Sequence, residues 1–301
     1  MREDVAFATA DGTTLRGWYV RPTGRDEPWP VVVVSHGFGA VREMWLDVVA
    51  DGLAAAGCAS LVYDHRGLGA SDGEPRGELD PLAQVADMRD AVTFAGLLPG
   101  ADPARTGLWG TSYAGGHVLV VGATDRRVRC VVAQVPTISG RRNTLRRFPG
   151  DALAEARARW AEDRRARMQG APPARIPVAP GFEDAAVVPA TGPAGNDFAA
   201  WLAAMPPDRR ATWRDEMTLR SQELYAAYEP GAHVAALAPT PLLVICMTDD
   251  AVTPTDEILG AYEAAREPKR LVLLPGGHFD VYGEHLPAAV GAAGDWFSLH
   301  L

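Results

Sequence analysis

The chain has 301 residues, 47% of them hydrophobic and 22% charged, with a net charge of −9. That size and balance fit a soluble α/β enzyme with a large core. The acidic balance argues against nucleic-acid binding, which needs clustered positive charge, and no apolar stretch approaches the ~18–20 residues of a membrane span.

In chain order, residues 4–21 alternate around an "ADG" break, which predicts a β-hairpin. "PVVVVSHGFGA" is a continuous Val run ending in Gly, as expected of a central strand covered on both faces. "EMWLDVVADGLAAAG" has helical spacing and a stop at Gly57. "CASLVYDHRG" is a second buried strand. Asp80 then caps a helix with Pro81 in its first turn. "RTGLWGTS" predicts a strand, "YAGGHVLVVGAT" a helix and "VRCVVAQV" a sixth strand.

The alternation then stops. Residues 137–235 carry helical segments around a Pro/Gly/Ala-rich connector, "QGAPPARIPVAPGFEDAAVVPATGPAGND". It resumes with strand "TPLLVICMTDD", helix "PTDEILGAYEAA", strand "RLVLLPGG" and helix "LPAAVGAAGDWFSLHL". The pattern predicts an α/β fold with a mostly parallel central sheet and helices on both faces. Its core is divided into residues 1–136 and 236–301, with a helical cap, 137–235, inserted after the sixth strand.

In such sheets functional groups gather at the carboxyl ends of strands. Three ends carry candidates in the order Ser, Asp, His: Ser112 after "GLWGT", Asp249 and Asp250 after "PLLVICMT", and His278 after "LVLLPGG". A Ser hydroxyl needs a base, and the base an orienting carboxylate, before it attacks an acyl carbon. Ser112 departs from G-x-S-x-G at Ala114, which is still small and is followed by Gly115 and Gly116. Two oxyanion donors are expected, the N–H of Tyr113 directly after the nucleophile and that of Phe38 in the "SHGFGA" loop. Either aspartate can serve as the acid on this reading. The other six histidines lack the setting of a base, His36 lying in the loop near the site.

Cys58, Cys130 and Cys246 sit in apolar runs with neither a disulfide framework nor metal-ligand spacing. They read as buried thiols in a reducing compartment. The N-terminus lacks a basic start followed by an apolar run, so a cytoplasmic protein without a leader is expected. "DHRGLGASDG" lacks the Lys of a phosphate loop and reads as a structural turn.

"SHGFG", "YDHRGLGASDG", "GLWGTSYAGG", "TDDAVTP" and "GGHFDVY", five motifs in order, resemble the α/β-hydrolase superfamily. The resemblance places the acid at Asp250, four before a Pro, and the oxyanion donors at Phe38 and Tyr113. It is greatest to dienelactone-hydrolase-like and acetyl-xylan-esterase-like bacterial enzymes and to polyketide transferases of that fold. "GTSYAGG" is also similar to X-prolyl dipeptidyl peptidases and cocaine-esterase-like enzymes, which carry a further β-domain.

The resemblance implies a serine hydrolase of esters, lactones or thioesters, with an acyltransferase or cyclase of natural-product assembly as the alternative. An X-prolyl peptidase or a non-catalytic ligand binder ranks behind these. No metal or cofactor is required. The expected partner is a small-molecule ester or thioester, without nucleic acid or membrane, and the sequence leaves the oligomeric state open, a homodimer being one option. The cap holds Phe148, Trp160, Met168, Phe182, Phe198, Trp201, Met205, Trp213, Met217, Tyr225 and Tyr228, some of them expected to form its own core. Others are expected to face Ser112 and favour a hydrophobic acyl or alcohol part. Arg141, Arg142, Arg146 and Arg147 lie near the cap entrance as a charged helix face or an anion grip.

Overall fold

A computed structural model describes residues 1–180 and 193–301; Phe182 and part of the Pro-rich connector lie outside the described residues. Strands β1 (Arg2–Ala8) and β2 (Thr14–Val20) form the expected antiparallel hairpin. β3 (Trp29–Ser35), helix α1 (Leu46–Ala55), β4 (Ala59–Tyr63), α2 (Pro81–Ala95), β5 (Ala101–Thr111), α3 (Tyr113–Thr124) and β6 (Val128–Gln134) continue the alternation. After residue 235 come β9 (Leu242–Met247), α8 (Thr255–Ala264), β10 (Lys269–Leu274) and α9 (Leu286–His300).

Among the described residues, eight of these strands form one sheet in the order β1-β2-β4-β3-β5-β6-β9-β10. β2 pairs antiparallel with β4, and every pairing from β4 to β10 is parallel. The strand period of two sends alternate residues to opposite faces. Val31, Val33, Leu108 and Val131 pack toward α2 and α3. Val32, Val34, Trp109 and Val132 pack toward α1 and α9. Both faces are therefore dry, which is why the Val run of β3 shows no polar alternation.

Local signals act where expected. Asp80 accepts from the amides of Leu82 and Ala83 at 2.9 and 3.2 Å, capping α2. Gly57 ends the α1 turn at φ +93°. β5 begins four residues before the predicted strand, because Trp29 at the start of β3 pairs with Ala101 and donates to Gly100 O at 2.8 Å. Its "ADPA" start is largely exposed and reads as a turn in sequence.

Between β6 and β9 the chain forms α4 (Gly140–Arg147), α5 (Ala152–Met168), α6 (Pro193–Ala204) and α7 (Arg220–Ala226). Two residue pairs, β7 (Arg175–Ile176) and β8 (Met217–Thr218), join as an antiparallel ribbon that helical periodicity does not reveal. The three cysteines are free and buried. Among the described residues no helix is long and apolar enough to cross a membrane.

Two glycines separate packing from propensity. A Cβ at Gly115, in the first turn of α3, would lie 2.7 Å from Pro136 Cα, while one at Gly260 in α8 would meet nothing within 4 Å. Gly115→Ala is expected to lower unfolding free energy by about 1–3 kcal/mol. Gly260→Ala should raise it by roughly 0.5–1 kcal/mol, as Ala replaces Gly in a helix interior. Urea denaturation of the two variants beside the parent protein checks both signs.

Candidate active site

Ser112 stands between β5 and α3 with φ +55° and ψ −113°, a conformation that L residues rarely adopt. It is held on both sides. Its N–H donates to Gln134 O at 2.8 Å, and its carbonyl accepts from Thr137 N at 2.9 Å. Gly110 and Gly115 fit the turn because a Cβ at either would strike backbone, at 2.3 Å from Ala114 O or 2.7 Å from Pro136 Cα. Ala114 is fully buried, and its methyl is accommodated where a glycine is the usual pattern.

Ser112 Oγ lies 3.1 Å from His278 Nε2, and His278 Nδ1 lies 2.7 Å from Asp250 Oδ2. The three side chains, 166 and 28 residues apart in sequence, thus form one buried chain of hydrogen bonds. Asp250 Oδ1 accepts from the amides of Val252 and Thr253, both at 2.8 Å. Asp249 is exposed and accepts from Thr248 Oγ1 at 2.6 Å, so the two adjacent carboxylates point into different surroundings.

The loop after β3 closes over the serine. A Cβ at Gly37 would lie 3.0 Å from Ser112 Cβ, a tight contact that glycine avoids as this backbone approaches the serine. The next residue is Phe38, whose ring packs edge-on against Tyr113 and Tyr225. Among the described residues neither Phe38 N–H nor Tyr113 N–H has a hydrogen-bond acceptor. Tyr113 opens α3, where first-turn amides have no partner within the helix.

Several contributors carry no sequence signal. Thr253 Oγ1 lies 2.9 Å from both Asp250 Oδ2 and Val135 O and 3.1 Å from His278 Nδ1, so it braces the acid against β6. The hydroxyl three residues after the acid in "DAVTP" is its only trace. Tyr282 OH meets Thr111 Oγ1 at 2.6 Å, tying the segment after His278 to the end of β5. In α3, His117 bridges Tyr228 OH at 2.8 Å and Gln84 Oε1 at 3.0 Å.

A cavity of about 440 Å³ opens on Ser112 and His278. Its walls include Phe148, Phe198, Trp201, Met217, Tyr225 and Phe279. Phe279 stacks with Phe198 and Trp201, with ring centroids 5.5 and 5.3 Å apart. Other large side chains from 137–235 serve packing instead. Trp160 and Tyr228 are buried, and Trp213 Nε1 donates to Gly39 O at 2.8 Å.

The "DHRGLGASDG" turn centres on a buried carboxylate. Asp64 accepts from Arg42 N at 2.8 Å and Ala70 N at 3.0 Å, and Gly69 packs directly on it at φ +47°. The glycine here serves packing on Asp64, in keeping with a structural turn.

The family model described as X-Pro dipeptidyl-peptidase (S15 family) matches residues 11–280. A thiohydrolase of Eupenicillium brefeldianum is 33% identical over 283 residues, covering 93% of this chain and 88% of its own length. A polyketide transferase of Penicillium sp is 33% identical over 287 residues, covering 94% and 92%. The crystal structure of an α/β hydrolase from Penicillium sp. sh18 superposes with a TM-score of 0.83 at 26% identity, over 100% of this chain and 99% of that one. The fold is that of the α/β hydrolases.

Burial depresses two histidines beside the site, His36 to about 4 and His117 to about 3, from an ordinary value of 6.5. From pH about 6.5 down to about 3 the unfolded chain binds protons that these rings refuse, first both and below about 4 His117 alone, so stability falls as pH falls through that window. Urea midpoints measured across this range should follow that course, and His117→Gln should make the fall shallower.

Proposed function

This chain belongs to the family described as X-Pro dipeptidyl-peptidase (S15 family), and on that footing we propose that it is a serine hydrolase of carboxylic esters, lactones or thioesters. The observation that carries the reading is the Ser112–His278–Asp250 hydrogen-bond chain at the mouth of an apolar cavity. Ser112 Oγ attacks the acyl carbon while His278 Nε2 takes its proton. The N–H groups of Phe38 and Tyr113 hold the oxyanion that develops. As the tetrahedral intermediate collapses, the imidazolium gives its proton to the leaving alkoxide or thiolate, and the acyl group stays on Ser112. His278 then takes a proton from water, whose oxygen attacks the ester and frees the serine. Asp250 keeps Nδ1–H oriented throughout, with Thr253 holding Asp250.

Within this reading, residues 137–235 are a cap that supplies the aromatic wall and sets the substrate. The wall also bears on the peptidase activity in the family's name. Release of an N-terminal dipeptide leaves an ammonium group to be held, and among the described residues the cavity wall carries arginines and no carboxylate side chain. An acyl substrate suits it better than a peptide amine. Three free buried thiols fit a reducing compartment, so the reading includes a cytoplasmic location.

Acyl transfer is the second reading, favoured by the polyketide transferase among the relatives. It keeps every step to the acyl-enzyme and replaces water with an alcohol. Product analysis with and without an added alcohol separates the two: a new ester in preference to free acid identifies a transferase.

Hydrolysis of a p-nitrophenyl acyl series tests the shared mechanism. Ser112→Ala is expected to lower kcat by about 10³-fold or more, with loss of fluorophosphonate labelling. Undiminished turnover in that variant would sink the mechanism. Asp250→Asn should cost about 10³–10⁴-fold and Asp249→Asn no more than about twofold. The reverse order would reassign the acid.

A further inference from the structure

The four arginines of α4 share one short helix, but their surroundings divide them. Arg146 pairs with Asp256 at 2.8 Å and lies 3.4 Å from Glu257, and Arg142 Nε lies 3.5 Å from Glu257. Both are therefore engaged with the start of α8. Arg141 is exposed and does not line the cavity. Arg147 lines the cavity that holds Ser112, and among the described residues it makes no ion pair or hydrogen bond. Its side chain is exposed where the cavity meets the surface, within reach of Tyr225 on the same wall.

A second observation comes from one helical turn earlier. Asn143 is at i−4 from Arg147, so the two share a face of α4, and both line the same cavity. Asn143 is 9% exposed. Its Nδ2 donates to Tyr225 OH at 2.7 Å, while its Oδ1 is buried without any partner. A buried acceptor left unpaired is costly, and Arg147 offers the cavity a cation with no anion beside it among the described residues. Together on one wall of the cavity, where Arg146 is already paired with α8, they suit a ligand that brings an N–H or O–H and, beyond it, an anionic oxygen.

We propose that Arg147 and Asn143 form an anion subsite of the acyl-transfer pocket. The substrate carries a carboxylate or phosphate that Arg147 binds, and a hydroxyl or amide N–H that Asn143 Oδ1 accepts. The inference rests on the hydrolase reading above and narrows it from hydrophobic esters in general to esters or thioesters with a charged arm. The planar guanidinium suits either anion through paired hydrogen bonds. The anion can sit on the acyl part or on the leaving part.

Two matched substrate pairs distinguish these sources. p-Nitrophenyl hydrogen adipate against its methyl ester places a carboxylate on the acyl arm. S-Hexanoyl-4′-phosphopantetheine against S-hexanoylpantetheine places a phosphate on the leaving arm. The parent protein is expected to favour the charged member of one pair by about tenfold or more in kcat/KM, mainly through KM, as for one charge-assisted contact. Arg147→Met should bring that ratio to within about twofold of unity, and Arg147→Lys should keep most of it. Should the Met variant fold poorly, Arg147→Gln gives the same readout. Ratios near unity in both pairs for the parent protein, or a ratio unchanged by loss of the guanidinium, would overturn the subsite. The hydrolase reading fails differently, by absence of turnover on all four substrates together with absence of fluorophosphonate labelling at Ser112, and the subsite falls with it.

Discussion

The left-handed backbone at Ser112 is the constraint on which the rest of the site depends. A non-glycine residue at φ +55° costs on the order of 1–3 kcal/mol and persists only where its surroundings over-determine it. Here they do. Gln134 O and Thr137 N grip the serine's peptide groups, and Gly110 and Gly115 leave no room for a side chain that would force the turn open. The same turn lifts Oγ out of the sheet toward His278 and leaves the Tyr113 amide free at the start of α3. Gly37 brings the next loop within contact of Ser112, so Phe38 takes its position from the serine as well.

The parallel sheet provides the second condition. Because β5, β9 and β10 run the same way, their carboxyl ends open on one edge and deliver Ser112, Asp250 and His278 to a common point. The polar braces are buried among apolar neighbours: Thr253 under the acid, and Tyr282 on Thr111 below the nucleophile. Fixed dipoles of this kind need little reorganisation as charge develops. The aromatic stack of Phe198, Trp201 and Phe279 adds an apolar wall beside them.

Much of this architecture is legible in the sequence because its period is strong. Val-rich runs mark strands dry on both faces, and Asp80 with Pro81 marks a helix start. Strand ends bearing Ser, Asp and His follow from that alternation. Local pattern does not tell Asp249 from Asp250. They are chemically identical neighbours, and their difference lies in one being buried against a histidine 28 residues on. The arginines of α4 pose the same problem. Arg142 and Arg146 find carboxylates on α8, more than a hundred residues later, and Arg147 does not. His117 reads in sequence as an ordinary structural histidine, but its bridge from Gln84 to Tyr228 joins α2 to the segment after α7, a contact made only in three dimensions. The β7/β8 ribbon leaves no sequence signal because two residues are too few to show a period.

The 166 residues between Ser112 and His278 also order events in time. A ribosome adds residues at about 5–20 per second, so roughly ten to thirty seconds separate the two. During that interval a nascent chain holds its hydroxyl with no imidazole to deprotonate it. On the reading proposed above, the reactive pair is therefore assembled last, when the final parallel strand closes the sheet and carries the imidazole to the serine.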